Sequence, residues 1–96
     1  MKPFRWDPGK NELLKSDRGI SFEEIVYHIE RGDLLDILEN RNQRRYAGQR
    51  VFVVNVQDYA YLVPFVESET EVFLKTIIPS RKGTKKYLRP KEPRDG

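Results

Sequence analysis

Apolar residues recur with helical spacing in the first third of the chain and with strand spacing in its middle. Phe22, Ile25, Val26 and Ile29 fall at i, i+3, i+4 and i+7, one stripe of a helix, with Glu23, Tyr27 and Glu30 pointing away from it. Ser21 stands just before that stripe and Glu24 three residues on. This is the spacing of a capping box, in which the serine oxygen accepts from the third backbone N–H and the glutamate reaches back. Gly32 ends the helix. An earlier helix is predicted from Pro8 to Asp17. Asp7 is a favourable N-cap, proline suits a first helical position whose N–H would be unpaired anyway, and Gly19 permits the positive φ of a C-terminal cap. Its Leu13-Leu14 pair is expected to face the core.

Phe4-Arg5-Trp6 reads as a short first strand and Leu34 to Leu38 as a second. Val51 to Gln57, Tyr59 to Val66 and Glu71 to Ile78 are then three β-branched or aromatic runs, parted by Asp58 and by Glu67-Ser68-Glu69-Thr70, and they predict an antiparallel meander. Pro64 cannot donate a ladder hydrogen bond, so its strand should carry an edge or a bulge there. The polar, arginine-rich stretch from Glu39 to Arg50 cannot be core and reads as a mobile loop with a turn at Ala47-Gly48. Pro79-Ser80 ends the last strand, and Ser80 caps a short basic helix from Arg81 to Leu88. Pro90 stops that helix, leaving residues 91–96 as a frayed tail after one domain of residues 1–90. The order β-α-α-β-β-β-β-α predicts an α+β fold: two N-terminal helices packed on one face of a twisted, mostly antiparallel sheet.

Composition narrows the chemistry. The 96 residues include no cysteine and one histidine, which excludes a disulfide frame, a thiolate zinc site and an imidazole metal cluster. No cofactor is expected. Apolar runs such as Val51 to Val54 are far short of the roughly 20 residues of a bilayer span, and the N-terminus lacks the apolar stretch of a signal peptide. A soluble, cytoplasmic protein without membrane contact is the expectation. Net charge is +3, but residues 1–40 carry six basic against nine acidic groups and residues 41–96 carry twelve against six. Much of the positive charge lies in two clusters, Arg41 to Arg50 around Tyr46 and Arg81 to Arg89 around Tyr87. Cations that neutralise phosphates beside a tyrosine that stacks on an unpaired base suit single-stranded RNA. The alternative is a pair of solvated faces that keep a small protein soluble.

Three blocks together resemble the BrnT-like toxins of bacterial type II toxin-antitoxin systems, whose fold is RelE-like. They are Phe4-x-Trp6-Asp7-x-x-Lys10-Asn11, Gly19-Ile20-Ser21-Phe22-Glu23-Glu24 and Ile78-Pro79-Ser80-Arg81-Lys82-x-Thr84-x-x-Tyr87. The resemblance spans nearly the whole chain. The first two blocks are capping and packing signals that speak for the fold, and the third aligns Arg81 with the arginine of the family's active site. Asp17-Arg18-Gly19 stands where the family commonly has Lys-His-Gly, Lys85-Lys86 replaces a usual acidic residue, and the aromatic strand around Tyr59 to Phe65 is longer than the typical form. The resemblance implies a metal-independent RNA endonuclease that is neutralised by a cognate antitoxin. It also implies contact with operator DNA only indirectly, through that antitoxin.

Metal-free RNA cleavage needs a base for the 2′-hydroxyl proton, cations for the charged phosphorane and an acid for the leaving oxygen. Arg81, at a strand-to-helix junction, would offer a phosphate a guanidinium fork beside backbone N–H groups. Lys75 interrupts an apolar strand, and alternation places it on the face of Phe73 and Ile77. It is either an ordinary edge lysine or, with its pKa lowered by neighbouring cations, the base. Arg81, Lys75 and Arg45 are therefore the catalytic candidates, and Arg44, Tyr46, Arg50, Lys82, Lys85, Lys86 and Tyr87 the RNA-binding ones. His28 titrates near neutrality but lies at the boundary of a packed stripe, where a histidine is more often structural. Trp6 and Phe22 read as core. Tyr59, Tyr61 and Phe65 line one face of a strand, either as core or as a groove for an antitoxin segment. A non-catalytic RNA- or protein-binding module on the same fold is the competing function.

Overall fold

The computed structural model describes residues 2–89. Its elements are β1 (Phe4–Arg5), α1 (Pro8–Arg18), α2 (Phe22–Glu30), β2 (Leu34–Glu39), β3 (Gln49–Val56), β4 (Tyr59–Glu67), β5 (Val72–Leu74), β6 (Ile78–Pro79) and α3 (Arg81–Gly83), the last continuing into a π-helical turn over Thr84–Leu88. The fold is α+β. The proposed stop at Pro90 and the tail of residues 91–96 lie outside the described residues.

The helix ends follow the capping chemistry. Asp7 accepts from the Lys10 N–H, Pro8 opens α1, and Gly19 closes it at φ 67°. Both halves of the Ser21/Glu24 box are formed at the start of α2. Between the helices, the buried Asn11 side chain donates to Glu23 and accepts the otherwise orphaned N–H of Phe22 at 2.8 Å. The Asn11 bond is also the main reason the Glu23 carboxyl sits below the usual carboxylate range. Of the expected Leu13-Leu14 pair only Leu14 is buried, while Leu13 is 57% exposed. Adjacent helical positions diverge by about a quarter turn, so one packed stripe cannot take both.

The sheet runs β1-β5-β4-β3-β2, antiparallel except for the parallel pair β1·β5, and β6 adds a second partner to β4. A two-residue turn joins β3 to β4 with Gln57 and Asp58 at φ 53° and 66°, and Asn55 Oδ1 accepts from the Asp58 N–H. The single last strand expected over residues 71–78 is instead two, and Pro64 shows why. Val51 pairs with Pro64 across the hairpin, and the Pro64 carbonyl accepts from Lys75 N on the other side, so the missing N–H faces the gap between β5 and β6. Neither an edge nor a bulge, β4 is a central strand whose proline interrupts its neighbour. Arg18 donates to the Ile77 carbonyl within that interruption.

Strand alternation sorts the side chains onto two faces. The inner face, under α1 and α2, carries Phe52, Val54, Val56, Val63, Phe65, Val72 and Leu74, joined by Leu14, Ile20, Phe22, Ile25 and Ile77 in one buried cluster. Phe52 and Phe65 stack at 3.8 Å, and Trp6 stacks on Phe22 at 5.6 Å. Tyr61 packs against this cluster, which assigns the Tyr59/Tyr61/Phe65 strip to the core side. The interruption after β5 also returns Ile77 to the core, so Lys75 shares a face with Phe73 but not with Ile77.

Candidate nucleic-acid interface

The outer face is covered by the final helix over only part of its area. Val53 and Ala60 are fully buried there although neither belongs to the inner cluster. The covering contact is stitched to one residue: the Ala60 carbonyl accepts from Ser80 N at 2.9 Å, and the Ala60 N–H donates to Thr84 Oγ1 at 2.8 Å. Thr84, itself buried, donates back to the Ser80 carbonyl. Gly83 permits the close approach, because a Cβ at that position would lie 3.2 Å from the Ala60 Cβ. At the far end the π-helical turn places Tyr87 against the edge strand, where its hydroxyl donates to Asp36 Oδ2 at 2.6 Å. That bond lowers the Asp36 pKa and raises that of Tyr87.

Beside this helix opens a cleft of about 320 Å³ whose apolar floor is Leu38, Val53 and Leu62 and whose rim holds Arg41, Lys82, Lys86 and Tyr87. Among the described residues no carboxylate lines it. A second cleft of about 390 Å³ adjoins it, lined by Asn40, Tyr46, Gln49, Pro64, Lys75, Thr76 and Ile78. Leu62 and Pro64 lie two residues apart on the same face of β4, about 7 Å by strand rise, and Leu62 pairs with Ile78, so the two floors are continuous. Leu38 and Ile78 are 37% and 40% exposed, which leaves an apolar strip bordered by cations.

The candidate cations divide three ways. Lys82, Lys86 and Tyr87 line the first cleft, with Lys86 Nζ 5.3 Å from the Tyr87 ring centre. Tyr46 and Lys75 line the second, with Arg45 stacked outside Tyr46 at 5.5 Å and Lys75 over Phe73 at 5.4 Å. Arg50 belongs to neither: its register opposite Phe65 turns it to the inner face, where it lies over the Phe65 ring and pairs with Glu67 at 2.6 Å. Arg81, Lys85 and Arg44 are exposed and line neither cleft. The anion-binding contribution expected of the helix start is small, since only three α-helical residues precede the π turn and Ser80 already takes the Gly83 N–H.

Arg41 and the floor residues Leu38 and Leu62 complete the first cleft without having been singled out as site residues. Arg41 opens the arginine-rich stretch, and Leu38 and Leu62 share the parity of Val51 and Val53 across the register. That parity becomes visible only once the strands are paired. A wider depression of about 510 Å³ is lined by Lys2, Arg50, Glu67 and Glu69, two cations and two carboxylates, with Glu67 paired to both cations. His28 lies with Arg31, Asn55 and Asp58 at the opposite end of the sheet, its Nδ1 2.7 Å from Asp33 Oδ2, and ties the end of α2 to the start of β2. Among the described residues no group of three His, Cys, Asp or Glu is placed to hold a metal ion, and no helix is long and apolar enough to cross a membrane. Comparison of the chain with models of protein families, with curated proteins and with solved structures finds no match.

Proposed function

We propose that this chain is a toxin of the BrnT-like, RelE-like kind that engages single-stranded RNA on the outer face of its sheet, cuts it without a metal, and is neutralised by a cognate antitoxin. The observation that carries the RNA contact is the first cleft: three cations from the 40–48 loop and the final helix surround an apolar floor, with no carboxylate among the described residues that line it. Phosphates meet Arg41, Lys82 and Lys86 there while a base lies against Leu38 and Leu62. Arg81 is the family-matched residue and stands on the first turn of the same helix, at the end of the cleft that Ser80 and Lys82 line. The toxin and antitoxin assignments rest on the resemblance of the three sequence blocks.

One observation favours the non-cleaving reading. The groups able to move a proton in the first cleft are lysines and a tyrosine whose hydroxyl is held by Asp36 with its pKa raised. A raised pKa moves the Tyr87 hydroxyl away from the neutrality that general acid–base catalysis prefers. Two measurements separate the readings. Induction in a bacterial host should arrest growth, with relief by Arg81→Ala. The purified chain should bind and cut a labelled single-stranded RNA, and Lys82→Ala/Lys86→Ala should flatten the slope of log affinity against log salt by about 1.4, at about 0.7 per lost phosphate contact. Binding that leaves the RNA intact sinks the nuclease and keeps the module, and a chain that binds no RNA at low salt sinks both.

A further inference from the structure

We infer that the second cleft is a base-recognition subsite for one unpaired guanine of the bound RNA, an inference that rests on the RNA reading above. The argument starts from which hydrogen-bonding groups remain unspent. The backbone N–H of Asn42 can only donate, and it bonds Asn40 Oδ1 at 3.0 Å, which fixes the Asn40 amide. Asn40 Nδ2 therefore faces Gln49 and donates to its Oε1 at 2.8 Å. The orientation of Gln49 follows from that bond. Its oxygen is engaged by Asn40, and its Nε2 donors have no hydrogen-bond partner among the described residues.

Lys75 is the charged residue among the described residues that line the cleft, and none of those residues is a carboxylate. Thr76 adds a hydroxyl that can donate or accept, so the Gln49 amide and the Lys75 ammonium bias the cleft toward donation, beside walls supplied by Tyr46, Pro64 and Ile78. Guanine presents O6 and N7 as adjacent acceptors, the edge that a lysine or arginine reads, and the unpartnered Gln49 Nε2 supplies a second donor for it. Adenine places a donor beside N7 and would set donor against donor, and uracil offers single separated acceptors. Cytosine has adjacent acceptors but a smaller face to lay on Tyr46. Arg45 lies over that ring as a cation, 5.5 Å from its centre. The continuous floor from Leu62 to Pro64 lets one strand set its phosphates at Lys82 and Lys86 and its next base in this cleft.

The test uses the full chain and four uncleavable 2′-O-methyl hexamers, UUUGUU, UUUAUU, UUUCUU and UUUUUU, titrated by fluorescence anisotropy. The G-containing hexamer should bind roughly tenfold or more tightly than the others. Gln49→Leu and Lys75→Met, both changes at solvent-accessible side chains whose folding is checked by thermal melting, should each bring the G-to-U affinity ratio close to one. Equal binding of all four hexamers, a preference for cytosine, or a G preference that survives both substitutions overturns the subsite while salt-sensitive RNA binding itself stands. Absence of any hexamer binding removes the RNA reading and the subsite together. Dimerisation in sedimentation velocity that Tyr46→Ala abolishes would assign the cleft to a second copy of the chain and overturn the inference as well.

Discussion

The two faces of the sheet use the same strands for opposite purposes. On the inner face, Phe52, Val63, Phe65 and Leu74 meet two helices and are buried, and Arg50, which lies over the Phe65 ring, is paired with Glu67. On the outer face, Leu38, Leu62, Pro64 and Ile78 share a surface with Arg41, Lys75, Lys82 and Lys86, and the short final helix covers Val53 and Ala60 alone. Alternation along β3 and β4 therefore separates a stabilising surface from one left free to bind. A small domain has room for one well-packed core, and the second face remains available for ligand contact.

The largest expected effect tests the inner half of that contrast. Phe65→Ala removes a ring that stacks on Phe52 at 3.8 Å inside the cluster and should cost about 3–5 kcal/mol in a urea denaturation. Leu38→Ala on the outer face, already 37% exposed, should cost under about 1 kcal/mol. Comparable losses from the two would mean that the outer face is also core. A smaller effect tests the seam of the final helix. Thr84→Val keeps the shape but strands the Ala60 N–H, while the Ser80 carbonyl keeps its bond from the Thr84 N–H, so stability should fall by about 1–3 kcal/mol. RNA affinity should fall with it, since Lys82 and Lys86 ride on that helix. A Thr84→Val chain with unchanged melting and unchanged RNA binding would show that the helix is held by other contacts.

The inner face was the legible one. Asp7-Pro8, the Ser21/Glu24 box and the stripe from Phe22 to Ile29 are local signals, each complete within about two helical turns of chain, and they formed as the spacing predicts. What failed needed non-local information. The split of the last strand depends on which neighbour Pro64 faces, and the placement of Arg50 depends on its register opposite Phe65. Among the candidate cations, sequence clustering brought Lys82 and Lys86 to one cleft but did not separate them from Lys85 and Arg81, because a three-residue α turn followed by a π turn re-aims each side chain. Thr84 and Asn11 read as ordinary polar residues. Their importance comes from the backbone donors, Ala60 and Phe22, that only the folded chain leaves without other partners.

The gentlest perturbation concerns how the outer cleft is closed at its edge. The Tyr87 hydroxyl and the Asp36 carboxylate share one bond, and the two pKa shifts have opposite signs. Because the Asp36 pKa is lowered on folding, its contribution is present above the unfolded value of about 4 and disappears as pH falls through the folded one. Because the Tyr87 pKa is raised, its contribution is present below about 10 and disappears as pH rises further. The bond is therefore intact across the neutral range and breaks at both extremes. Tyr87→Phe should flatten both limbs of the stability-against-pH curve while leaving the inner-face packing untouched. At neutral pH the same variant should alter RNA affinity more than melting temperature, since the ring stays beside Lys86 while the end of the helix is released from β2. An unchanged pH profile in that variant would mean the hydroxyl bond carries no free energy, and the position of the π-helical turn would then have to come from Thr84 and the Ala60 contact alone.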